Sequence, residues 1–233
     1  MLADFHSHIL PGIDDGSSSL EESLQMLREE KRQGISRVVA TPHFYADHDS
    51  PRRFVARRQE AYDRLIGDMK DVPDLPEIRL GAEVYYFHGI SECEELELLK
   101  IAGTDYIMIE MPMAKWTDTM YRDLLGIREK QGLIPIVAHV DRYIAPFRTQ
   151  GIPEKLEKLP VLVQANASFF LSRSTRSMAL RMLKKGQIHL LGSDCHNMKD
   201  RPPRLGEAAE EIRSRLGIEA LEQVEETEKL ILG

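Results

Sequence analysis

The sequence predicts an α/β fold with a mainly parallel sheet, and three observations carry that expectation. Short apolar runs of four to six residues alternate with amphipathic helical patterns from end to end. The runs are rich in Val, Ile and Leu, as strands buried on both faces and joined by helices must be. Seven such units can be counted, which suits a closed or nearly closed barrel better than an open sheet.

The elements follow in order. A strand at 2–5 (LADF) opens the chain. A helix begins where Ser18 or Ser19 caps and Glu21 or Glu22 stands three residues on; Leu20, Leu24 and Leu27 recur at helical spacing, and Gly34 stops it. Strands at 37–41 (RVVAT), 79–84 (RLGAEV), 105–110 (DYIMIE) and 133–138 (LIPIVA) are separated by helices near 52–70, 91–100 and 118–131. Strands at 161–165 (VLVQA) and 187–192 (QIHLLG) flank a helix at 174–185, and two more helices occupy 205–216 and 218–231. Gly132 and Gly186 follow two of these helices as C-caps. The stretch 67–78 (GDMKDVPDLPEI) reads as a surface loop. With no internal repeat and no polar linker, residues 1–233 are expected to form one domain.

Composition narrows the function classes. With 31 basic and 38 acidic residues the formal charge is −7, which disfavours nucleic acid as a partner because that binding needs a concentrated positive surface. Two cysteines, Cys93 and Cys195, are no disulfide framework, so a reducing cytoplasm is expected. The start MLADFHSHILPG lacks the basic flank and apolar run of a signal peptide, and no apolar stretch approaches the roughly eighteen residues that span a bilayer.

In a barrel the active site forms at the C-terminal ends of the strands, and polar residues accumulate there. His6, His8, Asp14 and Asp15 follow the first strand, His43 the second, and Glu83 ends the third. Glu110 ends the fourth, His139 and Arg142 follow the fifth, Gln164 and Asn166 close the sixth, and Asp194 and His196 follow the seventh. Five of the eight histidines lie at such ends, and that shared position, more than any single residue, points to metal. Residues two apart on an extended segment face one side, so His6 and His8 can converge, as can Asp194 and His196. Imidazole with carboxylate suits divalent manganese, zinc or iron. A bridging Glu83 would let two ions share and acidify a water, giving a hydroxide nucleophile, while Arg142 and Arg201 are placed to grip phosphoryl oxygens.

The combination DFHSHILPGIDDG, TPH, GAEVYY, IEMP, AHVDR and SDCHNMKDRPP resembles the bacterial PHP-superfamily protein-tyrosine phosphatases of capsular and exopolysaccharide synthesis, from residue 3 to about 204. The resemblance implies a distorted seven-stranded (β/α)7 TIM-like barrel with three metal ions, manganese first and iron or zinc as alternatives. It assigns His6, His8, Glu83 and Asp194 to one ion, Glu83, Glu110 and His139 to a second, and Asp15, His43 and His196 to a third. Asp15 is chosen over Asp14 because the family has aspartate directly before the glycine; Asp14 is left to a turn or supporting role, and a supporting role is open for Asp4. Arg142 and Arg201 match phosphate-binding positions. The implied substrate is the phosphotyrosine tail of a bacterial tyrosine autokinase. The alternatives are a small-molecule phosphatase of the histidinol-phosphate type and a metal-stabilised binding protein without turnover. The subunit number is not legible.

Cys195 and Arg201 also show the C-x5-R spacing of cysteine phosphatases. HNMKD between them contains no glycine, and Asp194 beside the sulfur disfavours thiolate, so Cys195 is expected to be a spacer. Tyr85, Tyr86 and Phe87 offer either a wall for a phosphotyrosine ring or barrel packing. Trp116 either covers the cleft or anchors its loop, and His189 is expected to be a satisfied strand residue.

Overall fold

The computed structural model of the chain describes residues 2–70, 72–144 and 151–233. Strand β1 (Ala3–Ser7) leads to α1 (Leu20–Arg32), whose N-cap Ser19 accepts a hydrogen bond from the Glu22 amide. Strands β2 (Arg37–Ala40) and β3 (His43–Phe44) precede α2 (Pro51–Met69), which starts at the Ser50 cap with proline in its first turn. Strands β4 (Glu77–Leu80) and β5 (Glu83–Tyr85) follow, then two 3-10 turns (Ile90–Glu92 and Leu96–Leu99) and β6 (Tyr106–Glu110). Helix α3 (Asp118–Gln131) ends at Gly132 with φ 70°, and β7 (Ile134–Val137) leads into the one-turn helix α4 (Asp141–Ile144). After α5 (Ile152–Leu156) come β8 (Leu162–Asn166), α6 (Ala167–Leu171), α7 (Arg176–Lys184), β9 (Leu190–Gly192), α8 (Leu205–Leu216) and α9 (Glu219–Leu232).

All strand pairs are parallel. They form a three-stranded sheet, β1-β2-β4, and a six-stranded sheet, β3-β5-β6-β7-β8-β9. Among the described residues nine short strands thus stand where seven were expected. The strand expected at 37–41 ends at Ala40, and β3 begins only after Thr41-Pro42, where proline has no amide for the ladder; the run 79–84 breaks in two at Gly81-Ala82. Each break is a change of partner: β4 pairs with β2, whereas β5 pairs with β3 and β6. At the other side, Ser7 bridges Cys195, the Asp194 amide donates to His6 O (2.7 Å) and the His8 amide to Cys195 O (2.9 Å). The whole is a curled parallel sheet whose first and last strands meet.

Alternate residues of the strands face inward, where Ala3, Phe5, Val39, Met108, Ile136 and Leu190 pack together and Ile231 and Leu232 of α9 join them. The opposite faces, with Val38, Ala40, Ile107, Val137 and Leu191, pack against the surrounding helices. This two-sided burial explains the unbroken apolar runs. One irregularity matters for function. The register of β1 against β2 slips between Asp4 and Ser7, so three steps on β1 meet two on β2. Such a bulge re-aims side chains. Phe5 belongs to the inner cluster, yet His6 and His8 join the polar groups at the sheet's C-terminal edge.

Other expectations change. The helix at 91–100 is two 3-10 turns joined through extended Cys93, burying Leu96 and Leu99 three apart as that tighter winding requires. Strand 187–192 contracts to β9, and α4, α5 and α6 are single turns that no periodicity announces. Helix α2 reaches Met69 and β4 begins at Glu77, shortening the loop expected at 67–78; residue 71 within it lies outside the described residues. No helix among the described residues is long and apolar enough to cross a membrane.

Candidate metal centre

The parallel sheet delivers its polar strand ends to one place. His6 and His8 come from β1, His43 from β3, Glu83 from β5, Glu110 from β6, His139 from the turn after β7, and Asp194 and His196 from the turn after β9. Glu83 is at the middle, only 1% exposed. Its Oε2 lies 3.1 Å from His6 Nε2, 3.3 Å from His8 Nε2 and 3.0 Å from His43 Nδ1, and its Oε1 lies 2.7 Å from His139 Nε2. Asp194 Oδ1 is 3.7 Å from His6 Nε2 and 3.6 Å from His8 Nε2. Asp15 Oδ1 reaches His43 Nε2 at 3.5 Å and His196 Nε2 at 3.4 Å, and Glu110 Oε1 reaches His139 Nε2 at 3.5 Å.

All nine candidate ligands therefore meet in one cluster. Three subsets have donor atoms close enough to share an ion: His6, His8 and Asp194; His43, Glu83 and Glu110; and His8, Asp15, His43 and His196. This grouping by distance lets His8 and His43 each belong to two subsets, unlike the division the family resemblance implies. Glu83 Oε2, His43 Nδ1 and His196 Nε2 are buried without a hydrogen-bond partner among the described residues, although carboxylate or imidazole atoms crowd them. Lone pairs that face one another this way suit cations in the gaps, because imidazole and carboxylate together are ligands for divalent transition metals.

The backbone is bent to achieve this. Two cluster residues other than glycine take left-handed conformations, His139 with φ 28° and Asp194 with φ 53°. Each costs on the order of 1–3 kcal/mol and persists only where the surroundings enforce it. Gly192 is needed for a different reason: a Cβ there would lie 2.6 Å from His6 Cβ, so β9 approaches β1 closely only without a side chain.

Supporting residues orient the cluster. Asp14 Oδ2 lies 2.7 Å from His8 Nδ1 and accepts from the His43 amide, while Gln164 Oε1 faces His6 Nδ1 and accepts from the His139 amide at 2.6 Å. Asp4 accepts from the amides of His6 and Ser193 and from the Ser193 hydroxyl, tying β1 to the turn that carries Asp194. Burial opposes charge on His8, but the hydrogen bond to Asp14 and the close Glu83 carboxylate outweigh it and push its pKa up to about 10. Burial likewise opposes ionisation of Asp14, and the His8 partner wins, drawing it down to about 2. His196 is pushed down to about 4 by burial and by the neighbouring His8 charge. Glu83 stays well below the usual carboxylate range despite burial, because the His6 charge, the His139 hydrogen bond and the close His43 and His6 imidazoles favour the anion. Burial and the Glu83 charge raise Glu110.

Both arginines converge on Asp194. Arg142 Nη2 bonds its Oδ2, Arg201 Nη2 lies 2.6 Å from its Oδ1, and Asn166 Nδ2 donates to Oδ2 at 2.8 Å. They border a cavity of about 600 Å³ that also touches Asn166, Ser168 and Lys199. Cys195 has no place in this constellation. It is fully buried, 4.0 Å from Glu30 on α1, and burial with the charges of Glu30 and Asp4 raises its thiol well above the ordinary value. The amides of Lys199, Asp200 and Arg201 all donate to Asn197 Oδ1 instead of forming a phosphate cradle.

The aromatic expectations divide. Tyr86 is buried with its hydroxyl donating to Asp123, and Phe87 packs on the core, so neither is a wall of the site. Tyr85 stays half-buried, its ring 5.6 Å from that of Tyr45, which stacks on His43. Trp116 is buried and donates to Pro112 O, anchoring its loop, and His189 Nδ1 accepts from the Val163 amide. Sequence reasoning left Asp14 to a turn or supporting role, named Gln164 and Asn166 only as polar strand-end residues and did not name Tyr45. Its one signal was its place two residues beyond His43.

Comparison with known proteins agrees in extent and in shape. The family model described as "Capsular polysaccharide synthesis, CpsB/CapC" matches residues 2–231. Tyrosine-protein phosphatase YwqE of Bacillus subtilis is 30% identical over 249 aligned positions, covering 99% of this chain and 91% of the relative. Tyrosine-protein phosphatase CpsB of Streptococcus pneumoniae is 28% identical, covering 99% and 98%. A solved structure from work on these two proteins, described as unique metal-dependent tyrosine phosphatases, superposes with a TM-score of 0.86 at 26% identity, covering 99% of this chain and 94% of the other. Length and fold thus agree: the chain belongs to the CpsB/CapC family of capsular polysaccharide synthesis proteins.

Proposed function

We propose that this chain is a metal-dependent protein-tyrosine phosphatase, and that its substrate is the phosphotyrosine tail of a bacterial tyrosine autokinase controlling polysaccharide synthesis. The observation that carries this reading is Glu83 buried among four imidazoles, with two arginines a few ångströms away. The relatives' names supply the protein substrate. The donor set fits metal, since its buried lone pairs lack other partners among the described residues. In this reading three divalent ions, manganese first and iron or zinc as alternatives, are held by His6, His8, Asp15, His43, Glu83, Glu110, His139, Asp194 and His196. When bound, such ions supply Lewis-acid charge for phosphoryl oxygens and make water available as a nucleophile near neutral pH.

The chain's own residues do the rest. Asp14 and Gln164 face the Nδ1 atoms of His8 and His6, which leaves both Nε2 lone pairs directed into the cluster. Arg142 and Arg201 are one-third and 38% exposed on the cavity side, so their guanidinium groups can turn from Asp194 to phosphoryl oxygens and hold the ester in line. The burial of His6, His8, Glu83 and His139 keeps bulk water away and strengthens every charge interaction at the phosphorus. Tyrosine's oxygen, with a pKa of about 10, leaves more easily than an alkoxide.

The same reading takes the chain as one cytoplasmic domain. Counting β2 with β3 and β4 with β5 as single strands broken at Thr41-Pro42 and Gly81-Ala82 gives the seven strands of a distorted barrel.

The test is hydrolysis of a phosphotyrosine peptide by metal-stripped protein, with and without manganese, beside the Cys195→Ala variant. Manganese-dependent phosphate release that survives loss of Cys195 is expected. Release that needs no metal and disappears in the variant would overturn the reading. Hydrolysis of small phosphate esters alone would move the substrate to that class.

A further inference from the structure

A phosphoryl group held by Arg142 and Arg201 enters from the Asp194 side of the cluster. Next to Asp15 and His43 a second cavity of about 330 Å³ opens, lined in part by Ile13, Tyr45, His48 and Phe54. Two tyrosine rings touch the cluster's histidines. Tyr143 lies 5.6 Å from His139 but is fully buried and accepts a hydrogen bond from the Met111 amide, so it cannot meet a ligand. Tyr45 is different: its ring stacks on His43 at 5.4 Å with an interplanar angle of 30°, it is only half-buried, and Tyr85 extends the aromatic surface outward at 5.6 Å.

We propose that Tyr45, extended by Tyr85, is the wall against which the aryl group of the substrate packs, so that this pair selects aryl phosphate esters over alkyl ones. The proposal rests on the phosphatase reading above and adds the specificity of its site. Aromatic faces offset against one another at centroid separations of 4.5–7 Å attract beyond simple area burial. The Tyr45 and Tyr85 rings are already held in that relation, so a third ring joins a preformed surface. Tyr86 and Phe87, the adjacent aromatics, are committed to packing. His48 is exposed beside Tyr45, with ring centroids 5.6 Å apart, and widens the same face.

Binding of phenylphosphonate and methylphosphonate to the manganese-loaded protein, measured by calorimetry, tests this without turnover. The wild type is expected to favour phenylphosphonate by on the order of tenfold. Tyr45→Ala should bring that ratio close to unity with methylphosphonate affinity unchanged, Tyr85→Ala should reduce it in part, and Tyr45→Phe should retain it because the ring and not the hydroxyl acts. A wild type without aryl preference would overturn the proposal, as would a Tyr45→Ala protein that loses affinity for both phosphonates equally. Phosphotyrosine peptide hydrolysis run in parallel separates the two readings. Turnover without any ring preference sinks the wall alone, whereas ring preference without turnover supports the wall and sinks the phosphatase.

Discussion

Glu83 touches His6, His8 and His43 with one oxygen and His139 with the other, so at the scale of single residues the cluster is organised around one carboxylate. Around it, neutral or acidic partners fix which nitrogen of each imidazole faces inward. Asp14 has the clearest such role, because it bonds His8 Nδ1 and the His43 amide together. Replacing it with asparagine keeps the shape and removes the charge. Asp14→Asn is expected to weaken manganese binding by about 10- to 100-fold, the usual effect of losing a ligand's outer partner, read by titrating metal into the stripped protein. Unchanged affinity would show that Asp14 only shapes the turn. The residues of the cluster were legible in the sequence because strands of a parallel sheet end at one edge, so position along the chain stood for position in space. Tyr45 was not legible. Nothing in HFYADHD distinguishes a ring facing the site from Phe44, which is buried in the core one residue earlier.

At the scale of elements, α9 is more than a cover. Its Glu228 is 3% exposed and accepts from the Ala3 amide at the start of β1, while Oε1 has no partner among the described residues. Burial, and after it the charge of Glu225, overcomes the Ala3 hydrogen bond and pushes this carboxyl from 4.5 up to about 8. Between those values the folded chain holds a proton that the unfolded chain has released. Stability from this group is therefore full below about pH 4.5 and is lost as pH rises through about 8. Glu228→Gln should remove that slope: urea midpoints of wild type and variant should diverge from pH 5 to pH 8.5, with the variant the more stable at the alkaline end. Parallel curves would show that the carboxyl is not titrating there. The helix itself was readable from the spacing of Leu221 and Val224, but the inward turn of Glu228 was not, since helical periodicity does not say when a glutamate will be trapped. The breaks in the second and third strands were hidden for a related reason. RVVAT stops before His43, RLGAEV reads as one strand across Gly81, and a two-residue strand such as β3 is too short to show a period of its own. The bulge in β1, which falls where Phe5 packs in the core and His6 reaches the site, leaves no mark on composition either.

At the scale of the molecule, ligand candidates come from the first strand and from the turn after the last, with others between them from β3, β5, β6 and the turn after β7. A cation held by His6, His8 and Asp194 would fasten the two ends of the curled sheet to each other. Protein at manganese concentrations about 100 times the dissociation constant should gain about 2.7 kcal/mol, a rise in melting temperature of roughly 5–10 °C for a chain this long. Scanning calorimetry of chelated and reloaded protein checks this, and an unchanged transition would mean that metal does not bind the folded state preferentially. The seam between β1 and β9 has an order in time as well as in space. Residues 6 and 8 leave the ribosome well before residues 190 to 196 do. Until that last strand emerges, Asp4 has no Ser193 to hold, His8 has no Cys195 carbonyl, and Arg142 has no Asp194. A nascent chain stalled before residue 190 would carry His6, His8, His43, His139 and Glu83 without Asp194 and His196, so the candidate site is incomplete until the last strand is made.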